Sequence, residues 1–393
     1  MPDLTDNHAH LELLESQSRE LTPGLMSFQE TNALKDGRFS NLYWVEIDKN
    51  KFNFTLSAST SPIPLLDFNL ANRKVIAGIN FGSFFLSDDL HTPVTTFYNL
   101  MINSGKIFQF PSNTRPALKS KDGKLSEIKI PANGTLNLGN QTFTWSGSNS
   151  VEKTDLKIFG MFDLTIGKIK FDKVSTRRKI LSETSFVTCD TEETLLGINI
   201  SKGQPKLERI IRTPLDLTQF AYVIKGNSEL LKKAKVGQEI TGVRFGRVSF
   251  DDENVCSASF SLGKTRDELI NNLRTQLIFP KGGEPKPMSK DYLKSWSVVL
   301  ETKDKIIFFI GDARPKVKNQ EGLSVFELQT ILQKKFDYSW ACVGDSGQSS
   351  KLMVIGDTAE IYGNMHYQNY SGKSPVWDGK NGRHIPVALL AYE

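Results

Sequence analysis

The chain has 393 residues and a formal net charge of +5, with 49 Lys and Arg set against 44 Asp and Glu. That near balance, with no long basic run, excludes a nucleic-acid binder working through a dense basic stripe, and no stretch approaches the roughly 18 apolar residues of a membrane-spanning helix. Cys189, Cys256 and Cys342 are too far apart for a metal-type spacing and too few for a disulfide framework, and the 25 Phe suit β-rich cores.

Residues 1–20 read as a polar amino-terminal tail, mobile or weakly helical, in which His8 and His10 are simpler as tail residues than as metal ligands. The start lacks a basic segment and an apolar signal core, which implies a cytoplasmic protein if Met1 is the native start, and a secreted or periplasmic one if a signal was removed. Asn41–Asp48 and Phe52–Ser57 alternate apolar and polar residues around a turn at Asp48–Asn50, and so predict a β-hairpin. Val75–Asn80 is a buried strand running into Phe81-Gly82-Ser83-Phe84-Phe85. Asn80 at its end is equally a ligand contact or an Asn satisfied by its own turn. Asp88-Asp89 with His91 reads as a solvated loop rather than a metal site.

Short strands separated by Asn103–Gly105, Asp122-Gly123 and Asn133-Gly134 predict an antiparallel meander over residues 99–150. Residues 151–250 continue as a β-rich middle module, with a helical turn at Ser228–Ala234. Asn53, Asn133, Asn140, Asn199 and Asn369 open N-x-Ser/Thr triplets, weak support for secretion in an Asn-rich chain. Ser297–Leu300 is expected to pair with Ile306–Ile310.

The densest signals lie in residues 305–350. Lys305–Ile310 is a buried strand ended by Gly311, followed by Asp312-Ala313-Arg314. Ser324-Val325-Phe326-Glu327 has the form of a capping box, and Val325, Leu328 and Leu332 give the helix it opens one apolar face. Glu327 is thereby assigned to the cap, not to chemistry. Trp340–Val343 is a second buried strand leading into Gly344-Asp345-Ser346-Gly347-Gln348-Ser349-Ser350. Two parallel strands joined by one helix would place Asp312 and Asp345 side by side at one sheet edge, where open sheets carry their sites. A serine-hydrolase reading of Gly344–Gly347 fails, because a strand, Leu352–Ile355, follows where a nucleophile elbow requires a helix. The chain closes on Arg383 and an apolar strand, His384–Tyr392. The fold class expected from these elements is α+β, with β-rich mixed sheets and a few helices.

The order of these pieces resembles the phosphodiester glycosidase family. The matching stretches are Asn80–Phe85, Gly311–Arg314, Gly322–Leu328, Asp345–Ser349, and Arg383 with Ile385–Tyr392. Weaker echoes are Lys106–Leu118, with Arg115-Pro116-Ala117, and Phe220–Gly237. Together they span residues 21–393 as one domain. The early turn aligns in two registers, with Asn80 or Phe81 at the family Asn position. The chain departs from the pattern where Ser346 and Gln348 replace two glycines. It also lacks an arginine ahead of the Ser297 strand, where Lys294, Ser295 and Trp296 stand.

The resemblance implies a hydrolase that cleaves a sugar-1-phosphodiester at the anomeric carbon, releasing free sugar and a phosphate monoester. Such chemistry needs carboxylates to activate water or to stabilise an oxocarbenium-like centre, and cations or N–H groups to hold phosphate. Asp312 and Asp345 are the expected carboxylates and Arg314 and Arg383 the expected phosphate clamps. Gly347, Ser349 and Ser350 would form an anion nest, with Asn80 as a further contact. No cofactor is required, although the two Asp residues are compatible with a divalent cation. The expected partner is a small-molecule or glycan phosphodiester, not nucleic acid or a membrane, and the oligomeric state stays open. The alternative is a non-catalytic sugar- or phosphate-binding protein on the same fold.

Overall fold

A computed structural model describes residues 11–85, 96–97, 100–111, 114–148, 150–160, 186–201, 204–251, 253–273, 277–278, 286–287, 292–313, 318–363, 377–378 and 382–393. Strands β1 (Leu11–Thr22), β2 (Leu25–Leu34) and β3 (Phe39–Asp48) run antiparallel in sequence order. Residues 11–20, expected as a tail, are therefore strand. Nearly every β1 side chain is exposed, so β1 is held by backbone pairing to β2 and carries no apolar alternation to betray it. Strands β4 (Asn53–Ile63) and β5 (Val75–Asn80) belong to a different sheet. The expected hairpin between β3 and β4 does not form. Instead, the turn in which the Phe52 N–H donates to Asp48 O at 3.1 Å carries the chain from one sheet to the other. Val45 and Ile47 of β3 then meet Phe54 and Leu56 of β4 within one core. Two strands with one apolar face each can pair side by side or stack face to face, and here they stack.

The remaining elements that position the site are β6 (Arg115–Lys121), β7 (Asn254–Ser257), β8 (Phe260–Ser261), α1 (Arg266–Leu273), β9 (Trp296–Thr302), β10 (Lys305–Gly311), α2 (Val325–Lys335), β11 (Tyr338–Val343), β12 (Lys351–Ile355), β13 (Ala359–Gly363) and β14 (Ile385–Tyr392). The first sheet has seven strands in the order β1-β2-β3-β10-β9-β11-β8, and the second has five, β13-β12-β5-β14-β4. Alternation along β10 serves two cores. Phe308 and Ile310 enter the core shared with the second sheet, while Ile307 and Phe309 enter the one covered by Val325, Leu328 and Leu332 of α2. Strands β10 and β11 both pair antiparallel with β9, so they are parallel to each other and joined by α2, with β9 between them.

The expected meander divides after Pro131. Residues Lys124–Ile130 and β6 pair within a five-stranded sheet that admits β7, whereas Asn133–Leu138 and Gln141–Gly147 start a seven-stranded sheet completed by the middle module. Ile102, Ala117 and Val255 share one core with Trp145, Ile198 and Tyr222, so the middle module packs against that meander sheet. Strand makes up 58% of the structure and helix 10%, which overturns the α+β assignment: the fold is mostly β. Segments that end in short turns find antiparallel partners, and α1 and α2 are short additions to the first sheet's outer core. Among the described residues no helix is long and apolar enough to cross a membrane.

The capping box of α2 forms as expected. Ser324 Oγ accepts from the Glu327 N–H at 3.2 Å, and Glu327 Oε2 accepts from the Ser324 N–H at 2.8 Å. The structure adds Arg38, whose guanidinium pairs with Glu327 and donates to Gly322 O at 2.7 Å, tying the β2–β3 turn to the start of α2. With both side chains mostly covered, removing one charge strands the other. Arg38→Met should lower unfolding free energy by about 3 kcal/mol in denaturant titration. A change inside about 0.5 kcal/mol would mean that the capping box holds Glu327 without Arg38.

Candidate active site

The Gly344–Ser350 loop is the crossing from the first sheet to the second, leaving β11 and entering β12. Its backbone is pinned from three sides. The Gly344 N–H donates to Ser297 O at 2.9 Å, the Asp345 N–H to Phe81 O at 2.7 Å, and the Gly347 N–H to Ser295 O at 2.9 Å. Gly344 lies so close to the end of β5 that a Cβ there would come within 2.9 Å of the Phe81 ring. Gly347 is needed for a different reason: its φ of +76° is left-handed, with open space around it. Ser346, where the family pattern has glycine, sits at φ −124°, ordinary for any residue. Its hydroxyl folds back onto Gly344 O at 3.2 Å, so the extra side chain is turned onto its own loop.

Asn80 is the hub of this arrangement. Its Nδ2 donates to Asp345 O at 2.6 Å, while Oδ1 accepts from Ser297 Oγ at 2.7 Å and from the Lys351 N–H at 2.8 Å. The side chain is fully buried, and both its oxygen and its nitrogen serve the fold. The backbone donors of the expected anion nest are likewise spent internally, while Ser350 Oγ finds no partner among the described residues. Besides the three N–H groups above, the Ser350 N–H donates to Gly347 O at 3.2 Å, and Ser349 and Ser350 are fully covered.

Asp345 is half-buried, and burial pushes its carboxyl above the usual carboxylate range. The Arg383 guanidinium, a hydrogen bond from the Ser349 hydroxyl, the Lys294 ammonium and the Ser346 N–H pull it partly back. Arg383 stands with its guanidinium carbon 4.8 Å from the centre of the Phe84 ring, and its Nη1 is 3.5 Å from Ser349 Oγ. Lys294 lies against the Trp296 ring, 4.4 Å from its centre, and burial brings its ammonium down to about 8 against the opposing pull of Asp345.

Of the expected site residues, Asp345, Ser349 and Arg383 come together, with Asn80 and Gly347 shaping the loop beneath them. Asp312 is buried at 3% exposure just beyond β10, where its N–H donates to Asn41 O at 2.8 Å. It shares the sheet edge with Asp345, but β9 separates their strands by two spacings, about 10 Å. Ser295 joins the two loops, accepting from the Ala313 N–H on Oγ at 3.0 Å and from the Gly347 N–H on its carbonyl. Arg314 lies outside the described residues, as do His8, His10, Asp88, Asp89, His91 and Asn369. In the sequence Lys294 stands out only as a neighbour of the place where the resembled pattern carries an arginine. No local motif marks it, because its setting comes from Trp296 and from a carboxylate in another loop. Among the described residues no group of three or more His, Cys, Asp and Glu is arranged to hold a metal.

The sign of the Asp345 shift gives a stability test. The folded chain holds this proton more tightly than the unfolded chain, so the neutral carboxyl favours the fold in acid, and that contribution is lost as pH rises through the folded value. Asp345→Asn, always neutral, should match the wild type in acid and melt at a higher temperature at pH 7. A variant that melts lower at pH 7 would show that attraction to Arg383 and Lys294 outweighs burial.

No family model and no curated protein matches the chain. In structure it is similar to a candidate exported protein of Burkholderia pseudomallei, with a TM-score of 0.59 and 11% identity over 98% of this chain and 97% of that one. It is also similar to a hypothetical protein from Synechocystis, with a TM-score of 0.54 and 14% identity over 96% of this chain and 64% of that one. At such identities the likeness shows a shared fold and leaves the chemistry to the site.

Proposed function

We propose that this chain hydrolyses a sugar-1-phosphodiester at the anomeric carbon, in the manner of the phosphodiester glycosidases its motif order resembles. The setting of Asp345 carries the reading: a carboxyl of raised basicity, hydrogen-bonded to Ser349, with Arg383 and Lys294 acting on it. In the reaction water adds to C1 and the C1–O bond breaks. The electron pair leaves on the phosphate oxygen, and the proton of water passes to a carboxylate. A carboxylate whose pKa is raised by burial is a better acceptor for that proton than an exposed one, which suits Asp345 to the role of base. A phosphate monoester departs as a stable anion and needs no strong general acid. Asp312 would then stabilise positive charge at the sugar, and Arg383 would clamp the phosphate, joined by Arg314. A surface-glycan phosphodiester is a substrate met outside the cytoplasm, and one structural neighbour being described as a candidate exported protein accords with that location.

The test is release of free sugar from a panel of sugar-1-phosphodiesters. Asp345→Asn and Asp312→Asn should each reduce release about a hundredfold or more while folding is retained. If no substrate is turned over, and ligand binding survives both substitutions, the protein is a non-catalytic sugar- or phosphate-binding member of the fold.

A further inference from the structure

We infer that Lys294 and Arg383 form a two-cation cradle for the phosphoryl group, in which Lys294 positions the leaving phosphate. The identity of the anion rests on the hydrolase reading; the place rests on geometry. The Lys294 backbone is fixed just ahead of β9 by a bridge to Leu323, N–H to O at 3.2 Å in one direction and 3.3 Å in the other. Its ammonium lies over Trp296 and 5.8 Å from the Tyr292 ring centre. Among the described residues it has no hydrogen-bond acceptor and no carboxylate within ion-pair distance. An ammonium carries three donors, and a ring face offsets its charge without accepting a strong hydrogen bond. The ammonium is not among the buried groups left without a partner, so it faces the open side of the site, where an arriving anion can reach it. The oxygens of a phosphoryl group would meet its donors.

Arg383 is held on a second ring, that of Phe84, and both cations act on the same carboxylate, Asp345. Arg383 Nη1 stands 3.5 Å from Ser349 Oγ, and the same loop is tied by the Gly347 N–H to Ser295, the residue after Lys294, so both cations stand beside one loop where the two sheets converge. The backbone donors of the loop at Gly344, Asp345, Gly347 and Ser350 are consumed within the fold, so recognition of an anion falls to these side chains. Lys294 loses its proton near pH 8, and the titratable groups bearing on it among the described residues are Asp345, from the loop after β11, and Tyr292, from its own segment. Arg383 stays charged throughout this range.

Sulfate, whose charge is constant from pH 6 to 10, is the probe, with its Kd measured by calorimetry on the full chain. For the wild type the Kd should rise about tenfold between pH 7 and pH 9, as Lys294 loses its charge. Lys294→Arg should keep the neutral-pH affinity and remove the rise, and Lys294→Met should bind weakly and without pH dependence. Sulfate binding that Lys294→Met leaves intact, or a wild-type Kd flat across this range, would overturn the cradle. If Lys294→Met does not fold, the wild-type and Lys294→Arg profiles decide. The cradle and the hydrolase reading fail separately. Lys294-dependent sulfate binding without sugar release on any substrate would sink the hydrolase and keep the cradle. Sugar release with an unchanged KM in Lys294→Met would do the reverse.

Discussion

The Asn80 side chain donates to the Asp345 carbonyl and accepts from the Ser297 hydroxyl and the Lys351 N–H, so one buried amide joins both main sheets to the loop that crosses between them. Ser297 belongs to β9 of the first sheet, and Lys351 and Asn80 to β12 and β5 of the second. Each of these groups is buried, so a missing partner would cost about 1–3 kcal/mol apiece. That cost fixes the height at which the loop leaves β11 and hence where the Asp345 carboxyl stands. The remaining N–H contacts of the loop, to Phe81 and Ser295, follow the same logic: the fold spends its backbone donors on holding the loop and leaves charged side chains at its rim.

That division of labour shapes the electrostatics. A carboxyl half-buried at a sheet junction rises in pKa, and a lysine taken out of water beside it falls. Each shift opposes the charged form of its own group, and the attraction between Asp345 and the two cations recovers only part of the cost. Groups with pKa values shifted in this way are suited to proton transfer and to anion binding, which are the two tasks cleavage of a sugar-1-phosphodiester demands. The aromatic supports under Lys294 and Arg383 matter for the same reason, since each ring face orients a cation that also acts on Asp345.

Local chemistry was legible in the chain and long-range partner choice was not. The capping box at Ser324 and Glu327, the β9–β10 pairing, and the strands ending at Asn80 and Val343 each depend on residues within one turn or one hairpin. The pairing of β3 depended on which of two apolar faces met which sheet, and alternation alone does not choose between pairing and stacking. Strand β1 is exposed on both faces from Glu12 to Glu20 and has no pattern to read there. The underestimate of strand came from the same source, because segments without apolar alternation pair through their backbone. At the site, the residue types of Asp312, Asp345 and Arg383 were visible. The role of Asn80 was not, because its partners at 297 and 351 lie far along the chain.

The central claim is that the bond broken is the one between the anomeric carbon and its oxygen. Turnover of a sugar-1-phosphodiester in water enriched with oxygen-18, read by mass spectrometry, tests it most directly. Label in the released sugar, with none in the phosphate monoester, is the result this account predicts. Label in the phosphate would mean attack at phosphorus and would contradict it.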